Sequence, residues 1–150
     1  MKDEVKKLDI NLDFDGTCVS HEFPKTGKDI GAVPVLKKLI ANGHRLILFT
    51  MRSDRTESSY SNDPNILLVS GNHLANALKW FMDNGIELYG IQSNPTQLSW
   101  TSSPKSYAPL MIDDSALGCP LKFDAEVSNR PYVDWEKVES MLVERGMIIE

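Results

Sequence analysis

The stretch Ile10-Asn11-Leu12-Asp13-Phe14-Asp15-Gly16-Thr17 places two carboxylates, one residue apart, directly after a short apolar run. The apolar run is typical of a buried strand, so both carboxylates are expected where the sheet ends and a turn begins. In open α/β sheets, ligands bind at that edge. Crowded carboxylates repel each other, and a hard cation or a shared proton between them relieves the repulsion. Because Gly16 lets backbone N–H groups approach a ligand closely, the stretch predicts a site for a phosphate held by Mg²⁺.

Apolar runs and helical periodicity alternate through the rest of the chain. They predict strands over 8–12, 45–50, 86–91 and 110–112, and helices over 29–41, 76–82 and 135–144. Asn42-Gly43 and Asn84-Gly85 end the first two helices, since glycine accepts the positive φ found after a helix. Repeated helix–Asn-Gly–strand units are the pattern of βαβ crossovers. We therefore expect a three-layer, Rossmann-like α/β fold with a central, mainly parallel sheet and helices on both faces.

Composition limits the class of protein. At 150 residues, with 41% hydrophobic and 25% charged residues, residues 1–150 are expected to form one ordinary domain. The net charge of −5 and the scattered Lys and Arg residues disfavour nucleic acid as a partner. The two cysteines, Cys18 and Cys119, predict neither a disulfide framework nor a zinc site. No secretory leader or membrane-spanning apolar run is recognisable, so a cytoplasmic protein without membrane attachment is expected.

Four features fall at strand ends of the predicted sheet. Asp13 and Asp15 follow the first strand, Thr50 ends the second, Lys105 lies just ahead of the fourth, and Asp113-Asp114 end it. This order resembles the haloacid dehalogenase (HAD) superfamily of phosphohydrolases, and the resemblance extends over 8–114. The Asp-x-Asp-Gly-Thr motif alone is moderately specific, whereas four signals in the correct order are strong.

The resemblance implies a role for each of these side chains. Asp13 would be the nucleophile that attacks phosphorus and forms an aspartyl-phosphate. Asp15 would protonate the leaving group and then take a proton from the hydrolytic water. Thr50 would hydrogen-bond a phosphoryl oxygen. Lys105 would offset negative charge on the nucleophile and on the transferring group.

The all-oxygen donor set indicates Mg²⁺ as the cofactor. Asp13, the backbone carbonyl of Asp15 and the acid pair Asp113-Asp114 are the expected ligands by resemblance. Adjacent residues in a strand point to opposite faces, so both acids of the pair reach the metal only if the chain turns. The resemblance favours Asp114 as the direct ligand, with Asp113 binding through water or orienting Lys105, and the sequence leaves this choice open.

Residues next to these motifs are expected to bind the phosphate or the rest of the substrate. They are Phe14, Gly16, Thr17, Met51 and Arg52. Arg52, two residues after Thr50, could reach a substrate anion, and His21 in the loop after the nucleophile could contact the substrate. The polar loops 52–65 and 94–103 border the same edge of the sheet, and at least one of them is expected to contact the substrate.

Many HAD phosphatases carry a cap domain over the site, inserted after the nucleophile strand or between the Thr and Lys motifs. The corresponding gaps, 17–29 and 50–105, are too short or too occupied by predicted elements for a folded cap. The chain therefore resembles the small capless members. An open site of this kind admits bulky substrates.

The leading interpretation is a Mg²⁺-dependent phosphatase that hydrolyses phosphomonoesters. A response-regulator receiver domain also clusters acids, a Thr and a Lys around Mg²⁺, but its motif order differs from the order here. A catalytically idle phosphate-binding or scaffold protein on the same fold is the alternative, because fold does not imply function. The motifs do not identify the phosphorylated substrate. They leave both a monomer and a homo-oligomer open.

Overall fold

The computed structural model describes residues 6–55, 62–66 and 69–149. Its elements, in chain order, are β1 (Asp9–Leu12), α1 (Ala32–Ala41), β2 (Arg45–Leu48), β3 (Asp54–Arg55), β4 (Gly71–Asn72), α2 (His73–Asp83), β5 (Gly90–Ile91), a 3-10 helix (Gln97–Ser99), β6 (Leu110–Ile112), β7 (Leu121–Lys122), β8 (Tyr132–Val133) and α3 (Trp135–Glu144). No described helix has both the length and the apolar character needed to cross a membrane.

The central sheet has the strand order β5-β2-β1-β6, and all three pairings are parallel. In the register, Leu12 at the end of β1 lies opposite both Leu48 of β2 and Ile112 of β6. The carboxyl ends of three neighbouring strands therefore meet at one edge. This arrangement confirms the predicted Rossmann-like α/β fold with a mainly parallel sheet.

One side of the sheet carries the hydrophobic core. Alternate strand residues point to this side because side chains alternate along a strand. The core side chains of the strands are Ile10, Leu12, Leu46, Leu48 and Ile112, and they form one cluster with the buried faces of α1, α2 and α3. Helix α1 contributes residues at helical spacing, Ala32, Val35, Leu36 and Leu39. Burial of this apolar surface is the main force that holds the helices on the sheet.

The other side of the sheet is covered by the irregular segment 92–109, whose helical element is the short 3-10 helix. Asn11 points to this side, where its amide donates to the carbonyl oxygen of Ser106 (2.9 Å) and accepts from the Ser106 hydroxyl (2.9 Å). The side chain of Gln97 in turn binds the backbone at Lys105 and Tyr107. Side-chain hydrogen bonds, which hydrophobic periodicity does not report, fix this layer.

Several element boundaries differ from the predicted ones. Helix α1 begins at residue 32 rather than 29 because Gly31 is in the left-handed conformation (φ 93°), which a helix cannot include. Helix α2 begins earlier, at His73. The third predicted strand shortens to β5, an edge strand that pairs only with β2.

Two small antiparallel pairs, β3 with β4 and β7 with β8, were not predicted. Their strands are two residues long, too short to show an alternating pattern. Strand β3 lies within the predicted loop 52–65. Residues 56–61 of that loop lie outside the described part of the chain.

Candidate active site

Three carboxylates converge where β1 and β6 end. Asp13, Asp113 and Asp114 each offer an oxygen within 4.8 Å of the others. The backbone N–H of Asp13 donates to the carbonyl oxygen of Ile112 (3.0 Å), which ties the end of β1 to the end of β6. The chain turns directly after β6, with the Ser115 N–H donating to Asp113 Oδ1 (2.8 Å). This turn lets both adjacent acids approach Asp13, and so the structure brings together all three predicted carboxylate ligands.

The pKa values of Asp13 and Asp114 shift in opposite directions. Burial, together with a hydrogen bond to Asp114, raises the pKa of Asp13 from 3.8 to about 8. Burial acts in the same direction on Asp114, but hydrogen bonds from His21 and Asp13 outweigh it and lower the pKa of Asp114. Asp13 therefore holds a proton more tightly than Asp114 does. A bound cation would take the place of that proton.

Thr17 lies between the two carboxylates. Its fully buried hydroxyl is 2.8 Å from Asp13 Oδ2 and 3.2 Å from Asp114 Oδ1, and it accepts from the Asp114 N–H (3.0 Å). The indole N–H of Trp135, at the start of α3, donates to the Thr17 carbonyl oxygen (2.7 Å). Thr17 was predicted as a phosphate contact, and the structure places its hydroxyl among the acids.

His21 and Gly16 lie beside Asp114. His21 Nε2 lies 2.7 Å from Asp114 Oδ2, a contact that no sequence motif indicated. A Cβ atom on Gly16 would stand 2.0 Å from His21 Nε2 and 2.6 Å from Asp114 Oδ2, and its φ is +81°. Only glycine fits at this position, both for space and for backbone conformation.

Asp15 lies on the other flank, beside β2. Arg52 Nε and Nη2 donate to its two carboxylate oxygens, at 2.8 Å each. The guanidinium is buried, with Arg52 only 2% exposed. Four of its five N–H donors are bound to Asp15 and to two backbone carbonyl oxygens, and the predicted contact of Arg52 with a substrate anion stays a prediction. The bidentate pair was not predicted, since nothing in the sequence links positions 15 and 52.

Some backbone N–H groups at the sheet edge have no hydrogen-bond partner among the described residues. Within the described residues, those of Phe14, Asp15 and Met51 make no hydrogen bond. The Phe14 ring packs in the core against Trp80 and Phe81, so only its backbone is available to a ligand. Unpaired N–H groups are natural donors to an anion.

Thr50 is held at this edge by Gln92. The Gln92 amide accepts from the Thr50 N–H (2.9 Å) and donates to the Thr50 carbonyl oxygen (2.6 Å). The Thr50 hydroxyl accepts from the Arg52 N–H (3.1 Å). Gln92 was not a candidate residue in the sequence, although it has a left-handed backbone (φ 66°) that is uncommon outside glycine.

Lys105 lies apart from this cluster. Its side chain is exposed, and over the described residues it forms no ion pair. Its carbonyl oxygen accepts from Gln97 Nε2 (2.6 Å), which fixes the backbone but not the ammonium group. The structure therefore unites Asp13, Asp113 and Asp114 but does not bring the predicted lysine into contact with them.

The loop 94–103 is anchored away from these acids. Asn94 donates to Asp9 Oδ2 (2.9 Å), at the start of β1, which is the amino end of the strand. The Trp100 ring packs edge to face on Tyr107. The loop therefore has a structural role in the layer over the sheet, and its predicted contact with substrate stays a prediction.

Comparison with known proteins gives one solved relative. No protein-family model and no curated protein match the chain. The solved structure of a conserved protein from Bacteroides thetaiotaomicron is similar to it, with a TM-score of 0.66 and 30% sequence identity over 93% of each chain. At that identity and coverage, the chain belongs to the same family as this conserved Bacteroides protein.

Proposed function

We propose that this protein is a Mg²⁺-dependent phosphatase that hydrolyses phosphomonoesters through an aspartyl-phosphate on Asp13. The observation that carries the proposal is the acid cluster of Asp13, Asp113 and Asp114 beside unpaired backbone N–H groups at one sheet edge. Acids alone suit a cation, and free N–H groups alone suit an anion. Their juxtaposition suits a phosphate bound together with a metal ion.

The donor set fits Mg²⁺. The three carboxylates supply only oxygen. Burial, followed by the hydrogen bond and the charges of the neighbouring acids, raises the pKa of Asp13, so a cation beside it would favour its ionised form. Asp13, Asp113 and Asp114 would hold the ion, together with the Asp15 carbonyl oxygen that the HAD resemblance suggests. When bound, Mg²⁺ supplies positive charge that offsets repulsion between the nucleophile and the phosphoryl oxygens.

Each step of the proposed reaction is assigned to particular residues of the chain. An Asp13 carboxylate oxygen attacks phosphorus, and the bond from phosphorus to the leaving oxygen breaks while Asp15 gives that oxygen a proton. Water next attacks phosphorus, gives a proton to Asp15, and displaces the Asp13 carboxylate. The N–H groups of Phe14, Asp15 and Met51 and the Thr50 hydroxyl hold the phosphoryl oxygens through both steps.

The test is phosphate release from p-nitrophenyl phosphate in Mg²⁺, with EDTA as the metal-free condition. Asp13→Asn should abolish release because an amide is a far weaker nucleophile than a carboxylate. Asp83→Asn, which removes an exposed acid paired with Lys79 on α2, is the matched control and should keep wild-type activity. Equal activity of Asp13→Asn and the wild type would reject the nucleophile assignment.

The second candidate is an idle phosphate-binding protein, and the exposed position of Lys105 favours it. In a phosphatase of this type, Lys105 would have to turn toward Asp13 when phosphate binds. Turnover by the wild type separates the two candidates, because an idle protein would bind inorganic phosphate without hydrolysing a phosphomonoester. In an enzyme, Lys105→Met should lower kcat. Calorimetric titration with phosphate in Mg²⁺, run beside the activity assay, distinguishes them.

A further inference from the structure

Arg52 uses four of its five N–H donors on protein partners. Besides its two bonds to the Asp15 carboxylate, Nη1 donates to the His73 carbonyl oxygen (3.1 Å) and Nη2 donates to the Lys25 carbonyl oxygen (2.9 Å). A guanidinium has five N–H donors, so little capacity remains for a substrate. One cation thus ties Asp15 to the loop before α1 and to the start of α2.

Aromatic rings hold the guanidinium in place. Its central carbon lies 5.0 Å from the centroid of the Phe14 ring and 5.2 Å from that of Phe23. The Phe14 ring is fully buried, and its edge-to-face partner Trp80 belongs to α2. The position of the Asp15 carboxylate is therefore set by the packed core, although Asp15 itself lies on a loop.

We propose that Arg52 is a positioning residue for Asp15, orienting its carboxyl toward the leaving oxygen, and that it is not a substrate ligand. The inference rests on the proposed function, in which Asp15 transfers the proton. A planar guanidinium that binds both oxygens fixes the plane and the position of the ionised carboxylate. This is the form that accepts the proton of the hydrolytic water. When Asp15 carries the proton for the leaving oxygen, that proton lies on an oxygen lone pair that faces away from Arg52. Proton transfer requires hydrogen-bond reach in a particular geometry, so loss of this restraint lowers kcat.

The same sheet contains a matched pair for comparison. Arg45 and Asp9, at the amino ends of β2 and β1, form an ion pair with a similar Nε–Oδ distance of 2.8 Å. The Arg45 side chain is 51% exposed, and this pair lies at the end of the strands opposite to the acid cluster. Arg45→Gln therefore removes an Arg–Asp pair that joins β1 and β2 without touching the site.

The test is a kinetic double-mutant cycle with Arg52→Gln, Asp15→Asn and the double variant. The probes are p-nitrophenyl phosphate, whose leaving group departs without a proton, and phenyl phosphate, whose leaving group needs one. Arg52→Gln should lower kcat on phenyl phosphate by about 10²-fold, in the range typical of general acid catalysis, with little change in KM. The loss on p-nitrophenyl phosphate should be smaller. The double variant should be no slower than Asp15→Asn, because both changes remove the same function.

Two further variants keep the proposal open to refutation. Arg52→Lys retains a buried cation if Arg52→Gln does not fold, and it should recover only part of kcat because an ammonium cannot bind both oxygens in one plane. Arg45→Gln should match the wild type on both probes.

Losses that multiply in the double variant, or a raised KM with unchanged kcat, would overturn the positioning role and return Arg52 to substrate binding. Equal losses on both probes would also overturn it, because a purely structural pair has no preference for leaving group. A wild-type protein that hydrolyses neither probe would instead refute the proposed function, and the inference with it.

Discussion

Asp13 and Asp114 meet across two neighbouring strands with too little space for two separate negative charges. The Thr17 hydroxyl lies within 3.2 Å of an oxygen of each side chain, and burial together with the neighbouring acids raises the pKa of Asp13. Such an arrangement costs free energy of folding unless a proton or a cation is present. The protonation state of these two carboxyls therefore affects the free energy of unfolding of the whole chain.

This linkage predicts the pH dependence of stability for the metal-free protein. The pKa of Asp13 is about 8 in the folded chain and 3.8 as its ordinary value. Between those values the folded state binds more protons than the unfolded state, so the free energy of unfolding falls as pH rises. The slope approaches about 1.4 kcal/mol per pH unit for one such group. Asp114, whose pKa is lowered, adds a slope of opposite sign only at the acid end of this window, because above about pH 5 it is ionised in both states.

Urea unfolding in EDTA at several pH values between 4 and 9 measures this slope. Asp13→Asn removes the titrating group, so its profile should be flatter and its stability at pH 8 should exceed that of the wild type. Parallel profiles for the two proteins would show that Asp13 keeps its ordinary pKa.

At the scale of elements, the edge strand β5 has a role beyond completing the sheet. Gln92, directly after it, adopts φ 66° and turns its side chain back to the backbone of Thr50. The two bonds continue the pairing of β5 with β2 by one more residue, using a side-chain amide in place of a backbone amide. The backbone strain at Gln92 is offset by holding the segment that carries Thr50, Met51 and Arg52.

The isosteric change Gln92→Glu tests this role. Glutamate retains an acceptor for the Thr50 N–H but replaces the donor to the Thr50 carbonyl oxygen with a carboxylate. Loss of that bond with an unsatisfied group left behind should cost about 1–3 kcal/mol of unfolding free energy at pH 8. Chemical denaturation measures the cost, with Asp83→Asn as a surface control. An unchanged midpoint would mean that β2 and β5 hold Thr50 without this side chain.

At the scale of the whole molecule, we expect metal binding to be coupled to folding, because the proposed ligands lie far apart in the sequence. Asp13 follows β1, whereas Asp113 and Asp114 follow β6, and they converge only when these strands pair. An ion that binds the folded chain alone stabilises it by mass action. Mg²⁺ at about 100 times its Kd should raise the melting temperature by roughly 5–10 °C for a chain of this size.

Thermal unfolding with and without Mg²⁺ measures the shift, and EDTA should reverse it. Asp114→Asn removes a ligand charge and should lose most of the shift, whereas Asp83→Asn should keep it. A shift of the same size in Asp114→Asn would place the metal elsewhere in the chain.

The central strands and the acids that follow them could be predicted from the sequence, because hydrophobic burial leaves a local pattern. Apolar runs such as 8–12 and 110–112 define buried strands, and a parallel sheet necessarily gathers residues that follow such strands at one edge. The convergence of Asp13 with Asp113 and Asp114 follows from that geometry, and the structure confirms their proximity. The Asn-Gly signals likewise marked where α1 and α2 end.

Other features depended on contacts between side chains far apart in the chain. The Arg52–Asp15 pair, the Gln92 bridge to Thr50 and the His21 contact with Asp114 each join segments that no periodicity relates. The exposure of the Lys105 side chain was equally inaccessible from the sequence. The spacing of apolar residues indicates where a strand begins, but it does not give the rotamer of a long side chain.

The sequence by itself determined the order of the four central strands and the three α-helices and the identity of the acids at the strand ends, because hydrophobic burial and backbone geometry act through local pattern. Only the tertiary structure decided which partner each polar group takes. A hydrogen bond or an ion pair depends on distances of about 3 Å between groups brought together by packing, and the linear sequence does not specify those distances.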